Sequence, residues 1–184
     1  MKVQASHFFS QAGIVAALVL GGVFAGAPAV AADNKEDAAL IQALPKSKHS
    51  LLEGVRQAAT GGAAAISAKF EMEDGKLSLS VYTAGKGLAV PADSNVLQEL
   101  SGSPEQDKWA PVTEVFKDVP HVARSGEQLA LMALAHADLA ALIAQAQKGG
   151  GTVYSITPTI RNHKAVAVIL VAQKGKTKTI VRPL

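Results

Sequence analysis

The sequence contains no cysteine. This absence excludes disulfide bonds, thiolate chemistry and attachment of a lipid through an N-terminal cysteine. A chain of 184 residues has room for one or two small domains. If such a chain is exported, its hydrophobic core alone must hold it folded, because no disulfide can restrict the unfolded state.

The motifs that usually mark an enzyme are also missing from the sequence. There is no G-x-S-x-G, H-E-x-x-H, Walker A or G-x-G-x-x-G pattern. His49, His121, His136 and His163 are not arranged as metal-binding pairs. We therefore expect a non-enzymatic protein with no cofactor and no metal site.

Charge is nearly balanced once residues 1–32 are set aside. The remaining chain carries 17 basic residues against 15 acidic residues, a balance of +2. Nucleic-acid binding usually needs a clustered basic surface, so we expect no nucleic-acid partner. Lys174, Lys176 and Lys178 alternate along a predicted strand. A solubilising edge strand is the favoured interpretation of this stripe.

Residues 1–32 have the layout of a secretory signal peptide. Lys2 is their only charged residue, an uncharged apolar run covers residues 12–26, and small residues precede cleavage positions after Ala31 or Ala32. An uncleaved membrane anchor is the alternative. The short run, rich in glycine and alanine and followed by Pro28, favours cleavage. This pattern predicts a periplasmic or secreted protein with no stable membrane span after cleavage.

One stretch of the sequence occurs twice. Residues 51–87 align without a gap on residues 139–175, at an offset of 88, and ten of the 37 aligned pairs are identical. In the first copy, Ser50 and Glu53 predict a capping box that opens a helix, and Gly61 and Gly62 end it. In the second copy, Asp138 is the predicted N-cap. The lack of any gap favours an internal duplication.

Each helix is followed by a predicted hairpin. Alternation over residues 66–73 and 77–82 indicates two strands around a turn at Asp74 and Gly75. Ser78, Ser80 and Tyr82 are predicted to face solvent. The second copy predicts strands at 153–161, 164–172 and 177–182. Pro158 cannot donate to a ladder, which predicts an edge or a bulge at that point.

Shorter helical segments precede and separate the copies. Residues 33–44 predict a helix before the first copy, and Ser125 with Gln128 predicts the capping box of a second lead-in helix. Residues 96–100 are compatible with one helical turn. Between the copies, residues 101–124 are expected to form a linker that packs against them, because this segment holds Trp109 and Phe116.

The helix LLEGVRQAATGG and the hairpin AISAKFEMEDGKLSLSVYTAGKG together resemble the PepSY domain. The tandem arrangement is similar to the architecture of β-lactamase inhibitor protein. The PepSY acidic residue before a turn is suggested only by Asp93, and the second copy has no counterpart. The resemblance implies an accessory or inhibitory role beside secreted peptidases.

The predicted organisation is an α+β chain of two tandem helix-plus-antiparallel-sheet repeats behind the signal peptide. The predicted boundaries are 1–32 for the signal peptide, 33–100 for the first repeat, 101–124 for the linker and 125–184 for the second repeat. In each repeat the apolar side of the helix is expected to cover its own sheet.

The candidate contact residues come from a difference between the copies. Where the first copy has Ser78, Ser80 and Tyr82, the second has apolar side chains, so both faces of its strand need cover. Cover by the rest of the chain is favoured, and a partner surface or homodimer seam is the alternative. For Trp109, core packing is favoured over ligand contact. The partner-binding candidates are Val166, Val168, Leu170, Tyr82 and Trp109.

The function predicted from these features is an exported module that binds or inhibits a protein or peptide partner, such as a peptidase. A periplasmic carrier of a small molecule or metal, with a pocket between the repeats near Trp109, is the alternative.

Overall fold

A pair of helices precedes each of two runs of strands in a computed structural model that describes residues 34–184. The four helices are α1 (Asn34–Ala43), α2 (Leu51–Ala58), α3 (Val119–Ala133) and α4 (Leu139–Gln147). The seven strands are β1 (Ala64–Glu73), β2 (Lys76–Ala84), β3 (Leu97–Gly102), β4 (Val112–Val115), β5 (Thr152–Arg161), β6 (Lys164–Gln173) and β7 (Lys176–Pro183). Short 3-10 helices occupy Leu44–Lys46 and Ala92–Ser94. The predicted signal peptide lies outside the described residues.

All seven strands join one antiparallel sheet in the order β4-β3-β2-β1-β5-β6-β7. The α+β prediction is confirmed. The expectation of one sheet per copy is corrected, because β1 and β5 pair and make a single continuous layer. The described residues 34–184 accordingly lie within one compact unit.

The pairing at the centre of the sheet is short. β1 and β5 pair only at Ala68 with Ile156 and at Lys69 with Ser155. Each strand carries a register shift just before these pairs, between Ala65 and Ser67 in β1 and between Val153 and Ser155 in β5. A bulge displaces one residue and bends its strand, so the ladder ends on both sides of the junction.

Pro158 lies in β5, which is an interior strand and not an edge. The bulge in β5 lies at Val153 and Ser155, so it does not coincide with Pro158 either. The reason Pro158 is tolerated is the short central ladder: it pairs with Ala167 of β6 and has no registered partner in β1.

α2 and α4 lie on one face of the sheet, here called the α2/α4 face. A Cβ atom on Gly54 of α2 would lie 2.7 Å from Cδ2 of Leu79, so the helix backbone approaches β2 closely. The side chains of Val81 and Ile169 on this face are fully buried. Their packing against the apolar sides of α2 and α4 forms the main core.

α3 lies on the opposite face, here called the α3 face. The Ser67 hydroxyl on β1 donates a 2.8 Å hydrogen bond to Gln128 of α3. The prediction that Ser78 and Ser80 face solvent is wrong, because they are 5% and 1% exposed. Ser80 donates to the Glu71 carboxylate on the same face. α3 also packs on β5 of the second copy, so it covers the centre of the sheet.

Several predicted boundaries are confirmed and others are wrong. The Ser50–Glu53 capping box and the Asp138 cap are present. The predicted cap at Ser125 and Gln128 is wrong, since α3 begins at Val119 behind the N-cap Asp118 and both side chains are buried in mid-helix. Residues 97–100 belong to β3, so the helical turn predicted over 96–100 is wrong. The expected linker 101–124 contains the end of β3, all of β4 and the start of α3.

Candidate functional site

A cleft of about 330 Å³ opens between α3 and the centre of the sheet. We call it the α3 cleft. Its walls come from both halves of the chain: Ser67, Ala68, Lys69 and Tyr82 on one side, and His121, Arg124, Ser125, Glu127, Gln128, Thr157, Pro158 and Thr159 on the other. The cleft lies where β5 runs past its short pairing with β1, so the splitting of the two strands makes room for it.

Tyr82 is the aromatic wall of this cleft. Its ring stacks on Phe116 at 6.0 Å between centroids, and the Lys69 ammonium lies 5.9 Å from the same ring. Burial raises the pKa of the Tyr82 phenol well above its usual range, and the negative charges of Glu99 and Glu71 raise it further. The phenol therefore stays protonated near neutral pH and can donate a hydrogen bond.

The charged groups around the cleft are mixed in sign. Lys69 is paired with Glu71 at 2.5 Å. The His121 backbone N–H donates to the Asp118 carboxylate at 3.1 Å, and the His121 ring contacts it at 2.8 Å. The backbone bond first, and then the ring contact, lower the pKa of the Asp118 carboxyl. Arg124 is exposed and forms no ion pair with another described residue. It is the cation most available to a ligand in the cleft.

A second hollow lies under α1 at positions related to the α3 cleft. It is lined by Asp37, Ala39, Leu40, Glu71, Met72, Asp74 and Gly75. Four of these residues stand 88 positions before lining residues of the α3 cleft, namely Asp37 before Ser125, Ala39 before Glu127, Leu40 before Gln128 and Glu71 before Thr159. The two hollows therefore occupy equivalent places in the chain.

Trp109 is buried, with 3% of its surface exposed. Its indole N–H donates to the Gly102 carbonyl at 3.3 Å, and its own carbonyl accepts from the Gln57 side chain at 2.8 Å. These contacts fix the loop after β3 to α2. Trp109 is therefore too deeply buried to contact a partner, and it is no longer a candidate contact residue.

Val166, Val168 and Leu170 lie together on the α3 face of β6. Val166 is buried at 7% exposure, while Val168 and Leu170 are half-buried. Val168 pairs with Val181 of β7, which is 41% exposed. Tyr82 belongs to the α3 cleft in the other half, so the five candidates do not form one site.

Sequence reasoning missed two features that the folded chain brings out. Asp118 and His121 are three residues apart at the start of α3, a spacing visible in the sequence. The second feature is the distribution of charge. Residues 139–184 contain no acidic residue, which a count over separate segments would have found.

The described residues contain no group of three His, Asp or Glu side chains placed to hold a metal ion. Within the same residues, no helix is long and apolar enough to cross a bilayer. No protein-family model, curated protein or solved structure matches the chain.

Proposed function

We propose that the chain is an exported, non-enzymatic binding protein made of two tandem repeats of PepSY-like design. Its partner is a protein or peptide, which docks at the end of the sheet formed by β6 and β7. The observation that carries this proposal is a half-open apolar surface on the α3 face, around Val168, Leu170 and Val181, beside a strand whose outer edge is free.

The duplication is supported by matched backbone details at the offset of 88. β1 and β5 have ten residues each and start at Ala64 and Thr152. The bulges fall at matching positions. Both hairpin turns begin with a residue at φ 50°, Asp74 and Asn162. Left-handed conformations at non-glycine residues are uncommon, so their recurrence at one offset favours a common origin.

The docking surface is supported by a difference in cover. On the α3 face, α3 lies over the central strands β1 and β5 and reaches towards β2 and β3. On β6 and β7, Val168 and Leu170 stay half-buried and Val181 is exposed, although all three are apolar. Contiguous exposed apolar surface beside a free edge is typical of a protein interface.

Site-specific photo-cross-linking tests the docking surface. A photo-reactive amino acid placed at Val181 should give one dominant cross-linked protein in the native host, identified by mass spectrometry. The matched control carries the same group at Val112, which is 73% exposed on β4 at the opposite edge. Equal products from both positions, or none from Val181, would contradict the proposal.

Export is supported by the signal-like pattern of residues 1–32. N-terminal sequencing of the protein from its native host should give a first residue at position 32 or 33. If the partner is a secreted peptidase, as the PepSY resemblance implies, adding the purified protein should lower that peptidase's rate, and a charge placed at Val168 should reverse the effect.

A small-molecule carrier is the second candidate, because the α3 cleft lies between the two halves and is lined by Tyr82, Lys69 and Arg124. Arg124 has no ion-pair partner within residues 34–184. Native mass spectrometry of the protein purified from its host separates the two functions. A bound molecule lost in Arg124→Ala but kept in a variant at exposed Val112 would favour the carrier. A mass equal to that of the polypeptide alone would favour the protein-binding function.

A further inference from the structure

Charge is segregated along this chain. All 15 acidic residues precede residue 139. Residues 33–138 carry ten basic residues against these 15, a balance of −5, whereas the last 46 residues carry a balance of +7. The seven basic residues of that last part are all exposed: Lys148, Arg161, Lys164, Lys174, Lys176, Lys178 and Arg182. None of them takes part in an ion pair with a described residue.

β7 is the place where this charge meets a free backbone edge. It is an end strand that pairs with β6 over eight residues, from Lys176 to Pro183, and no described strand pairs with its outer side. Half of the backbone N–H and C=O groups of an edge strand point away from the sheet. They can form a ladder with an added strand.

The two faces of β7 differ in chemistry. Lys176, Lys178 and Arg182 lie on the α2/α4 face, opposite Gln173, Val171 and Ala167 of β6. Lys174, Lys176 and Lys178 together line an open hollow at the turn before the strand. On the α3 face, Thr179 and Val181 lie opposite Leu170 and Val168. One face of the edge carries three cations around half-buried Ile180, and the other face is uncharged and partly apolar.

We infer that the outer edge of β7 binds an extended polypeptide segment in which acidic and apolar residues alternate. The segment adds an eighth strand to the sheet. Its acidic side chains meet Lys176, Lys178 and Arg182, and its apolar side chains continue the surface of Val168 and Val181. This inference rests on the proposed function and specifies the chemistry of the partner.

A polypeptide fits these observations better than DNA or an anionic bilayer does. Successive side chains of a strand alternate between its faces, so a segment of period two matches the cationic and apolar sides of β7. Duplex DNA would use the cations but not the open backbone edge or the apolar side. An anionic bilayer would attract the cations but would leave the open backbone edge of β7 unpaired, because lipids offer no strand to it.

Fluorescence anisotropy with defined probes tests the inference on the folded chain. The probe is a capped ten-residue peptide of alternating glutamate and valine. Three controls accompany it: the lysine–valine analogue, a block peptide of the same composition, and the glutamate–valine peptide methylated on alternate backbone nitrogens. We expect the alternating acidic peptide to bind at least about tenfold more tightly than each control.

Charge-reversal variants locate the binding to β7. Lys176→Glu with Lys178→Glu should weaken binding of the acidic peptide at least about tenfold, and added salt should weaken binding to the unaltered chain. The matched control is Lys46→Glu with Lys108→Glu, two exposed residues outside the second half. It makes the same change in net charge and should leave the affinity within about twofold.

Each contrary outcome would contradict one specific part of the inference. If the methylated peptide binds as tightly as the unmethylated one, the segment does not add a strand to the sheet. If both charge variants lose the same affinity, the binding site is not at β7. A duplex oligonucleotide or phosphatidylglycerol vesicles that bind more tightly than the peptide, with the same dependence on Lys176 and Lys178, replace the polypeptide by that anion. If the peptide fails while the Val181 cross-link persists, only this inference falls. If the cross-link is also absent, the proposed function falls with it.

Discussion

The two halves of the sheet have the same backbone plan and differ in what covers them. On the α3 face, α3 covers the strands at the centre of the sheet, and the serines of β2 are buried. The same face of β6 in the second half is apolar yet half-open, and the strand beside it is basic. Matched positions 88 residues apart therefore show where the halves are constrained alike and where they differ in cover and charge.

The largest predicted effect is a loss of stability that tests whether the two halves unfold together. Val81 and Ile169 occupy matching positions, and both are fully buried. Ile169→Ala removes core volume in the second half and should lower the free energy of unfolding by about 2–5 kcal/mol. Because β1 and β5 join the halves, the loss should appear in the fluorescence of Trp109, which lies in the first half.

Val168→Ala is the control for that experiment. It truncates a half-buried neighbour on the other face of the same strand, so it should cost about 1 kcal/mol or less. Denaturant unfolding followed by Trp109 fluorescence gives both values. An Ile169→Ala variant with an unchanged Trp109 transition would mean that the halves unfold independently, and the single cooperative sheet would be wrong.

A second comparison concerns a contact between helix and strand in which the large and the small residue are exchanged between the two halves. The first half places Gly54 against Leu79, and the matching positions in the second half are Leu142 and Ala167. Gly54→Ala would bring a Cβ to 2.7 Å from Leu79 and should cost about 1–3 kcal/mol. The halves thus fill the same space with opposite partners.

A double-mutant cycle sharpens this comparison. Gly54→Leu combined with Leu79→Ala reproduces the arrangement of the second half, so the double variant should lose less stability than the two single variants add up to. Thermal or denaturant unfolding of the four proteins measures the coupling. Additive losses would show that the two contacts are not interchangeable.

A third comparison predicts a gain in stability. The Thr83 hydroxyl is buried and has no hydrogen-bond partner among the described residues. The residue 88 positions later is Val171, which is also buried. Thr83→Val should therefore raise the free energy of unfolding by about 1 kcal/mol. Thr83→Ser keeps the hydroxyl, loses a methyl group and should be destabilising. A destabilised Thr83→Val protein would mean that the hydroxyl is satisfied in solution.

Local patterns in the sequence predicted much of the fold. The Ser50 cap, the Asp74–Gly75 turn and the alternation in β1 and β2 each depend on neighbours a few residues apart, and the structure contains all three. The same holds for β7, which was predicted within a residue of its bounds. Patterns over a few residues predict individual helices and strands, but they do not predict how these elements pack together.

The features that were missed depend on distant residues. Pairing of Ala68 with Ile156 joins the halves across 88 positions, and no local pattern indicates it. Ser80 bonds to Glu71 of the neighbouring strand, nine residues away in the chain. The start of α3 at Val119 was misplaced because Ser125 and Gln128 imitate a cap. The stripe of Lys174, Lys176 and Lys178 was predicted, but the absence of acidic residues from the whole of 139–184 was not noticed.

The smallest predicted effect concerns how the helices begin. α2 starts with a capping box in which Ser50 and Glu53 bond reciprocally, whereas α4 starts with Asp138 alone. Ser50→Ala should lower the free energy of unfolding by about 1 kcal/mol.

Hydrogen bonds from Ser50 lower the pKa of Glu53 below its usual 4.5. The stability that the Glu53 carboxylate contributes is therefore complete above pH 4.5 and is lost as the pH falls through the pKa of the folded protein. Urea unfolding at pH 7 and at pH 3 should therefore show a smaller drop on acidification for Glu53→Gln than for the unaltered protein. An identical drop would remove Glu53 from the acid response, and the two helix starts would then differ in composition but not in how they respond to pH.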